Sequence, residues 1–473
     1  MEFKPIVEKD TELVVDKEKG CGYLVDNAKH RLAYQKIRLT PISALILSFM
    51  DGNYSINEIA EMLSRITQLE INCCRESIIK CVDMFQGQIV HNNMNNVRIM
   101  PSPDIILRYV RKYNQNDLTT SVFPDFPLGL VYMATQNCGF YCKYCFQGAG
   151  KDSNKEEKYL CIERWNEVIK EASNAGTNSL IIGGGDPMLR KDLEKYIAAA
   201  SKFNLYSIAS TRMELSEKRI ESLINSGLKC IQLSLDSFDN KTVDFLSGRE
   251  GTYDGLTMNL KRLAKYNIDI TIRSVLTKYN IGHYKDWVDF CIEKGATSLA
   301  STIYFASCGR HDKDLYPTKE QALKLLEDGF EVKDKYKNSG IPIYLDSNYA
   351  SFMDSNIKYV SVKRPYCLGS KSQILIKHDG KVSFCDSLTF DERFVVGDVN
   401  EKGIREIWQS DKMNFWRNPP REKFQGTECE NCQLFYKCLP KRCYLRSEVA
   451  NGSPFTKDPW CSINKNSKDT FLV

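Results

Sequence analysis

Three cysteines in one short segment give the clearest chemical signal in this 473-residue chain. Cys138, Cys142 and Cys145 stand in the segment CGFYCKYCF, so their spacing is CxxxCxxC. Thiolates are soft ligands that suit zinc or iron–sulfur clusters, and a [4Fe-4S] cube needs four attachments. Three cysteines would leave one iron open to bind a substrate. Taken alone, they would also fit a structural zinc loop.

Seven more cysteines towards the C-terminus form a second candidate for metal binding. In order they are Cys367, Cys385, Cys429, Cys432, Cys438, Cys443 and Cys461. The chain contains 18 cysteines, and in a long intracellular chain cysteines bind metal or act in catalysis more often than they form disulfides. Four of them, from Cys429 to Cys443, would fit a zinc ribbon on their own.

Two other segments contain residues that could hold a small molecule. In GGGDP, Gly184 and Gly185 would let the backbone approach a ligand, and Asp186 could pair with an ammonium group. Read alone, these glycines would form an ordinary turn. The segment QLSLDSFD contains Ser234, which could contact the same ligand or cap a helix or turn.

Alternating strand and helix patterns between residues 126 and 345 must position these segments. The predicted strands are 128–134, 179–183, 206–210, 230–235, 268–275 and 299–305. Alternation of this kind predicts an α/β fold with a parallel sheet, and six repeats fit a partial (β/α)6 barrel. The cysteine loop follows the first strand and GGGDP follows the second, where parallel barrels concentrate their chemistry.

The flanking regions have different patterns. Residues 1–105 begin with strand-like runs and continue with helices, one of which starts at a capping box of Ser55 and Glu58, so we expect a winged-helix-like domain. Residues 106–125 are expected to form a linker. Residues 346–473 are expected to form a cysteine-rich domain organised by metal more than by a hydrophobic core.

Composition excludes several classes of protein. The net charge of +5 is small for this length, so charge gives little support to nucleic acid as a partner. The charged N-terminus lacks the apolar core of a signal peptide, and no stretch reaches the roughly 20 apolar residues that span a bilayer. We therefore expect a cytoplasmic protein without membrane contact.

The CxxxCxxC loop and the GGGDP segment together resemble radical S-adenosylmethionine (SAM) enzymes. The resemblance implies that SAM chelates the open iron and that its reductive cleavage releases a 5′-deoxyadenosyl radical, which removes hydrogen from an unactivated carbon. It implies that Tyr144 contacts the adenine of SAM and that Ser234 also contacts SAM. The SAM amino group would be held by Gly184, Gly185 and Asp186. One departure is Arg212, which stands where many relatives have Asn-Gly.

The seven later cysteines resemble the SPASM domain, which implies two auxiliary clusters and thus three [4Fe-4S] clusters in all. The pattern gives Cys429, Cys432, Cys438 and Cys461 to an outer cluster, and Cys367, Cys385 and Cys443 to an inner one. The gap between Cys438 and Cys443 holds four residues where the usual pattern has three. No cysteine shortly before Cys367 completes the inner set, and Cys308 is a remote candidate. Asp386 stands where sulfatase-maturing relatives have a proton acceptor, although it could instead cap a turn.

The segment LTPISALILSFMDGNYSINEIAEML resembles the leader-recognition domains of enzymes that mature ribosomal peptides. The three resemblances together imply a maturase that cross-links a precursor peptide, similar to sactipeptide and ranthipeptide thioether synthases. They also imply an external electron donor such as flavodoxin or ferredoxin. A carbon–carbon or carbon–oxygen cross-link, epimerisation and sulfatase-type maturation are the alternatives. Outside enzymes, the alternatives are a winged-helix regulator that senses redox state through its clusters and a protein whose clusters only relay electrons.

Overall fold

The computed structural model describes residues 3–7, 11–16, 21–26, 36–85, 89–92, 97, 100–110, 126–150, 157–304, 307–346, 367, 369–389, 391–439, 442–459 and 461. Parts of three predicted segments lie outside these residues: 31–35 in an N-terminal strand-like run, 111–125 in the linker, and 347–366 at the start of the C-terminal domain. The chain divides into two compact units, which are Met1–Leu128 with Asn174–Asn178, and Gly129–Ser173 with Ser179–Val473.

The first unit combines two small sheets with three helices. Strands β2 (Thr11–Asp16), β3 (Cys21–Asp26) and β4 (Lys36–Leu39) form an antiparallel sheet, and β1 (Pro5–Val7) pairs with β5 (Ile89–His91). Its main helices are Pro41–Ser48, Ile56–Thr67 and Ile71–Met84. A short helical turn, Pro103–Ile105, and a π-helical turn, Ile106–Val110, follow them.

Local capping sets the helix starts in this unit, and apolar side chains form its core. Thr40 caps the first helix, and Ser55 with Glu58 forms the expected capping box at the second. Leu45 and Ile59 are completely buried. The small sheet and three helices fit the expected unit of strands and helices, but the winged-helix-like identity stays a prediction.

The second unit is built on a ten-stranded sheet with the order β12-β11-β10-β9-β8-β7-β6-β13-β14-β15. Its first seven strands are β6 (Gly129–Met133), β7 (Ser179–Gly183), β8 (Tyr206–Thr211), β9 (Cys230–Ser234), β10 (Asp269–Leu276), β11 (Ser298–Ile303) and β12 (Ile343–Asp346). These seven run parallel. The α/β fold with a central parallel sheet is thus confirmed, with β12 as a parallel strand beyond the six predicted.

Helices connect the parallel strands, as a βα repeat requires. They are Ile162–Ala175, Leu193–Lys202, Glu217–Asn225, Asn240–Ser247, Thr252–Leu263, Tyr284–Glu293 and Lys319–Tyr336. Side chains of Ser216, Asp239 and Thr318 cap three of them. Among the described residues, no helix is both long enough and apolar enough to cross a bilayer.

The C-terminal region continues the same sheet. Strand β13 (Gln373–Lys377) runs parallel to β6, and β14 (Lys381–Ser383) and β15 (Val395–Asp398) follow in antiparallel order. The helices beyond are Ile404–Trp408, Asp411–Arg417, Phe435–Cys438 and Tyr444–Asn451. Buried rings of Phe394, Trp408 and Trp416 lie among them. Aromatic packing and sheet pairing therefore help to organise this region, and its expected organisation by metal stays a prediction.

Candidate functional site

The three cysteines of the first group share the loop that follows β6. Burial raises the pKa of Cys138 to about 12, and the charges of Cys142 and Cys145 act in the same direction. Burial also raises the pKa of Cys142, while the Arg212 guanidinium opposes that shift. The structure therefore brings the predicted three cysteines together at the carboxyl end of the sheet.

Gly184 and Gly185 bring the loop after β7 against the loop after β6. Gly185 donates its backbone N–H to Thr135 O at 2.7 Å, and Asp186 donates to Asn137 O at 2.8 Å. A Cβ atom at Gly184 would overlap Thr135 O, and one at Gly185 would overlap Asn137 O. Gly184 also has a φ of +132°, which favours glycine. These two glycines thus hold the cysteine loop in place, whatever else they bind.

Asp186 is buried and already has protein partners. Its carboxylate accepts hydrogen bonds from Met188 N at 3.1 Å, from Thr211 Oγ1 at 2.9 Å and from Arg212 N at 3.0 Å. Burial raises its pKa, and these hydrogen bonds oppose the shift. Asp186 therefore ties the end of β7 to the end of β8. Its predicted contact with the SAM amino group stays a prediction.

Arg212 and Asp236 form a buried ion pair beside the cysteine loop. Arg212 Nη1 lies 2.8 Å from Asp236 Oδ2, and Arg212 Nη2 donates to Tyr144 OH at 2.6 Å. Tyr144 OH also donates to Asp236, and burial raises the pKa of Tyr144 well above its usual value. Ser234, half-buried at the end of β9, lies two residues before Asp236. Sequence reasoning missed Asp236, although it stands in the quoted segment QLSLDSFD.

Arg310 holds the cysteine loop from the segment that follows β11, and sequence reasoning missed it because no motif marks this residue. Its backbone N–H donates to Cys145 O at 2.8 Å, and its Nη1 donates to Cys142 O at 2.8 Å. Its Nη2 donates to Ala149 O, and the guanidinium lies 3.5 Å from the centre of the Tyr141 ring. One residue therefore contacts both ends of the turn between two candidate ligands, Cys142 through its side chain and Cys145 through its backbone.

Glu157 fixes the start of the same loop. It accepts hydrogen bonds from Gln136 N at 2.6 Å, from Tyr159 OH at 2.8 Å and from Thr135 Oγ1. His378, which directly follows β13, has its Nε2 3.8 Å from a Glu157 oxygen, and both side chains are buried. The loop is therefore anchored at its start by Glu157 and further along by Arg310.

The later cysteines separate into two groups. The charges of Cys367 and Cys443 both act on Cys385, whose pKa burial raises well above its usual value. In the other group, burial raises the pKa of Cys429, and the charges of Cys432 and Cys461 act in the same direction. This division agrees with the predicted inner and outer sets, and the ligand roles themselves stay predictions.

The remaining candidates lie near these groups. Cys438 ends a short helix, and its charge acts on Tyr444 together with that of Cys367. Asp386 is exposed, and one of its carboxylate oxygens lies 4.0 Å from Cys385 Sγ. The charge of Cys443 also acts on Cys308, whose pKa burial raises to about 11. The catalytic role of Asp386 and any ligand role of Cys308 stay predictions.

The surroundings of the cysteines fit anionic clusters. Within the described part of the chain, no three Cys, His, Asp or Glu side chains stand in ready-made metal-binding geometry. The donor sets are nevertheless rich in thiols, which suit iron–sulfur clusters. Arg310 Nε and Arg442 Nε are buried without hydrogen-bond partners, one near each of two cysteine groups. Burying a guanidinium nitrogen without a partner is costly, and a thiolate-bound cluster would supply a compensating anion.

Two protein families match separate parts of the chain. Residues 132–291 match the family described as the Radical SAM superfamily, and residues 367–433 match SPASM, described as an iron–sulfur cluster-binding domain. The first range covers the loops that contain Cys138, Asp186 and Ser234. The second range begins at Cys367.

Curated relatives are similar over most of the chain. A protein named PqqA peptide cyclase from Rhizobium meliloti (strain 1021) is 26% identical over 341 residues, which cover 71% of this chain and 87% of that protein. A protein of the same name from Methylocella silvestris (strain DSM 15510 / CIP 108128 / LMG 27833 / NCIMB 13906 / BL2) is 23% identical over 355 residues, which cover 72% and 88%.

Solved structures share the fold. Streptococcus suis SuiB bound to S-adenosylmethionine has a TM-score of 0.63 at 19% identity, covering 97% of this chain and 100% of that one. SuiB bound to its precursor peptide SuiA gives the same values. The enzyme anSMEcpe with bound AdoMet has a TM-score of 0.53 at 18% identity, covering 71% and 94%. At these identities the likeness shows the fold alone.

Proposed function

We propose that this chain, which belongs to the radical SAM superfamily and contains a SPASM domain, installs an intramolecular cross-link in a ribosomally synthesised precursor peptide. The two matched domains imply [4Fe-4S] clusters and S-adenosylmethionine as cofactors. The observation that supports the proposal most directly is the combination of a cysteine loop at the end of β6 with two further cysteine groups. The names of the relatives, PqqA peptide cyclase, support a peptide substrate and a cyclising reaction.

Cys138, Cys142 and Cys145 would hold the first cluster, and the later cysteines would hold two more, the number typical of this domain combination. When bound, the first cluster and SAM together supply hydrogen-atom abstraction from an unactivated carbon. The protein's part is to position SAM and the peptide and to exclude water. Arg310 and Glu157 fix the loop from both sides, so the cysteines are held before any cofactor binds.

The polar residues beside the loop would orient SAM. Tyr144 is fixed by Arg212 and Asp236, so its ring has a defined position beside Cys145 for the adenine contact. Gly184 and Gly185 bring their turn against the cysteine loop, where the SAM amino group would bind, and Asp186 supports that turn. Ser234 lies at the same carboxyl edge of the sheet for a contact with the ribose or carboxylate.

The cross-link we propose is a thioether between a cysteine sulfur and a carbon of another residue. Forming it removes one hydrogen from carbon and one from sulfur, so two electrons and two protons leave the peptide. Abstraction would remove one hydrogen atom, an auxiliary cluster held by the later cysteines would supply an acceptor for the remaining electron, and a base would accept the proton. Asp386 lies next to the inner cysteine group and is the candidate base. A carbon–carbon or carbon–oxygen cross-link remains the second candidate, because the name peptide cyclase specifies no bond.

The N-terminal unit would bind the leader of the precursor. Its antiparallel sheet has β2 and β4 as edge strands, and an edge strand can pair with an extended peptide through backbone hydrogen bonds. The solved complex of SuiB with its precursor peptide SuiA supports a peptide partner. The reaction also needs an external electron donor, and flavodoxin or ferredoxin is our proposal for it.

The test uses the anaerobically reconstituted full chain with SAM, dithionite and a cysteine-containing peptide encoded beside the gene. The peptide is then reduced and alkylated, and its intact mass is measured. Loss of two hydrogens with a blocked thiol is the result we expect. The same loss with a free thiol would replace the thioether by a carbon–carbon or carbon–oxygen bond. An unchanged mass, with SAM cleavage intact, would contradict cross-linking of that peptide; the Cys142→Ala variant is the inactive control.

A further inference from the structure

Arg442 is a buried cation in contact with the outer cysteine group. Its side chain is 3% exposed, and its Nη1 donates to Cys429 Sγ at 3.7 Å. Its Nη2 donates to Ser447 Oγ at 3.1 Å and to Pro454 O at 3.4 Å. The guanidinium also lies 4.7 Å from the centre of the Phe424 ring. These contacts fix the plane of the guanidinium against the sulfur of Cys429.

The positive charge of Arg442 has no carboxylate to balance it among the described residues. Its protein partners are neutral oxygens and one sulfur, and its Nε is buried with no hydrogen-bond partner. Arg446, four residues later, differs, because Asp458 pairs with it through two contacts of 2.9 and 2.7 Å. Burying an unpaired charge is costly. The arrangement around Arg442 therefore calls for an anion on the side of Cys429.

The groups beside Cys429 show which anion fits. Cys432 is close enough for its charge to act on Cys429, as is Cys461. Both Cys429 and Cys432 pack against a buried cluster of Phe424, Phe435 and Leu439. A thiolate-bound cluster would place its negative charge on the sulfur that Arg442 already touches.

We propose that Arg442 is the counter-cation of the outer cluster and that its hydrogen bond to Cys429 raises the reduction potential of that cluster. A one-electron reduction makes the cluster more negative, so a fixed cation and an N–H···S bond stabilise the reduced form more than the oxidised form. The inference rests on the proposed outer cluster and does not depend on the peptide substrate. Arg442 is thus a positioning residue that sets the electron affinity of an auxiliary site.

The test measures reduction potentials in the reconstituted full chain, without SAM or peptide. An EPR-monitored titration follows the reduced signals, and the component lost in a Cys432→Ala variant identifies the outer cluster. Arg442→Gln removes the charge at similar length, and Arg442→Lys keeps it without the planar donor. Arg446→Lys is the matched control, because Asp458 already balances that cation.

We expect Arg442→Gln to lower the reduced-to-oxidised ratio of the outer cluster about tenfold at a fixed potential, which equals about 59 mV for one electron. Arg442→Lys should cause a smaller shift, and Arg446→Lys none at this cluster.

An unchanged outer potential in Arg442→Gln would overturn the proposal, as would loss of the outer irons from both Arg442 variants. An iron content in Cys432→Ala equal to that of the wild-type chain would overturn it as well. None of these readouts requires peptide turnover, so a failed cross-linking assay leaves them unaffected.

Discussion

The first cysteine loop and the outer cysteine group show two ways of preparing a protein for a cluster. The first loop is fixed by hydrogen bonds to its backbone, from Arg310 at two carbonyls and to Glu157 at its start. The outer group instead rests on a packed aromatic cluster, and a buried arginine contacts the sulfur of Cys429 itself. The first arrangement controls where the ligands lie, while the second also controls the charge that surrounds them.

The two regions also differ in how the charges of their buried arginines are balanced. Beside the first loop, Arg212 is neutralised by Asp236. In the outer group, no carboxylate within the described residues pairs with Arg442. The Arg212–Asp236 pair adds no net charge beside the first loop, whereas a lone cation such as Arg442 favours an added electron. The contrast suggests that SAM positioning and electron storage are assigned to separate parts of the second unit.

The largest expected effect is a difference in activity between variants of the first cysteine loop and variants of the inner cysteine group. Cys142→Ala should abolish SAM cleavage, because it removes a proposed ligand of the cluster that would bind SAM. Cys443→Ala should retain SAM cleavage without peptide and lose the cross-link, because only an auxiliary cluster is damaged. Chromatography of 5′-deoxyadenosine and peptide mass measure the two activities. Cross-linking at the wild-type rate in Cys443→Ala would show that the inner group has no part in the reaction.

Breaking the ion pair between Arg212 and Asp236 should cause a large loss in the free energy of unfolding. Arg212→Met leaves Asp236 buried without its cation, and breaking a buried pair on one side costs about 3–5 kcal/mol. Chemical denaturation of the metal-free chain measures the loss. The exposed pair of Lys335 with Asp289 gives the control, since solvent screens that pair and Lys335→Met should leave the free energy of unfolding close to that of wild type. Equal losses in the two variants would contradict a structural role for the buried pair.

Removing the hydrogen bonds from Arg310 to the cysteine loop should reduce retention of the first cluster and of no other cluster. Arg310→Ala removes the donors to Cys142 O and Ala149 O, and partners outside the ligands typically change metal retention about 10-fold to 100-fold. Chelator challenge followed by EPR with SAM measures retention of each cluster. Arg310→Lys should be intermediate, and Arg262→Ala, at the Glu214 ion pair, should behave as wild type. Equal loss from all three clusters would mean that Arg310 acts on the whole fold.

The smallest effect concerns pH. Burial raises the pKa of Asp186 in the folded chain, so the folded state holds the proton more tightly than the unfolded chain does. The stability of wild type relative to Asp186→Asn should therefore be greatest below the unfolded pKa of about 3.9 and fall as pH rises through the raised value. Urea unfolding at several pH values checks this. A difference that rises with pH would mean that the hydrogen bonds from Thr211 and Arg212 outweigh burial.

Much of this architecture was predictable from the sequence because it depends on local patterns. The six predicted strands match β6 to β11 in place and order, since a buried parallel strand is an apolar run between helical segments. The cysteine segments and GGGDP already resembled radical SAM enzymes and the SPASM domain, and residues 132–291 and 367–433 match those two families. The strand β12 was missed, although the segment IYLD is short and apolar at alternate positions. The extension of the sheet through β13 was also missed, because pairing with β6 joins residues far apart in the chain.

The sequence by itself determined which residues could do chemistry: cysteines at ligand spacing, glycines where two loops touch, and an acidic residue after them. Only the tertiary structure decided how these residues are held and how their charges are balanced. Arg310, Glu157 and Arg442 follow no recognisable spacing, and each acts on a loop that is distant from it or on a sulfur brought near by folding. Electrostatic balance depends on separation and burial in space, and neither can be read from the order of residues along the chain.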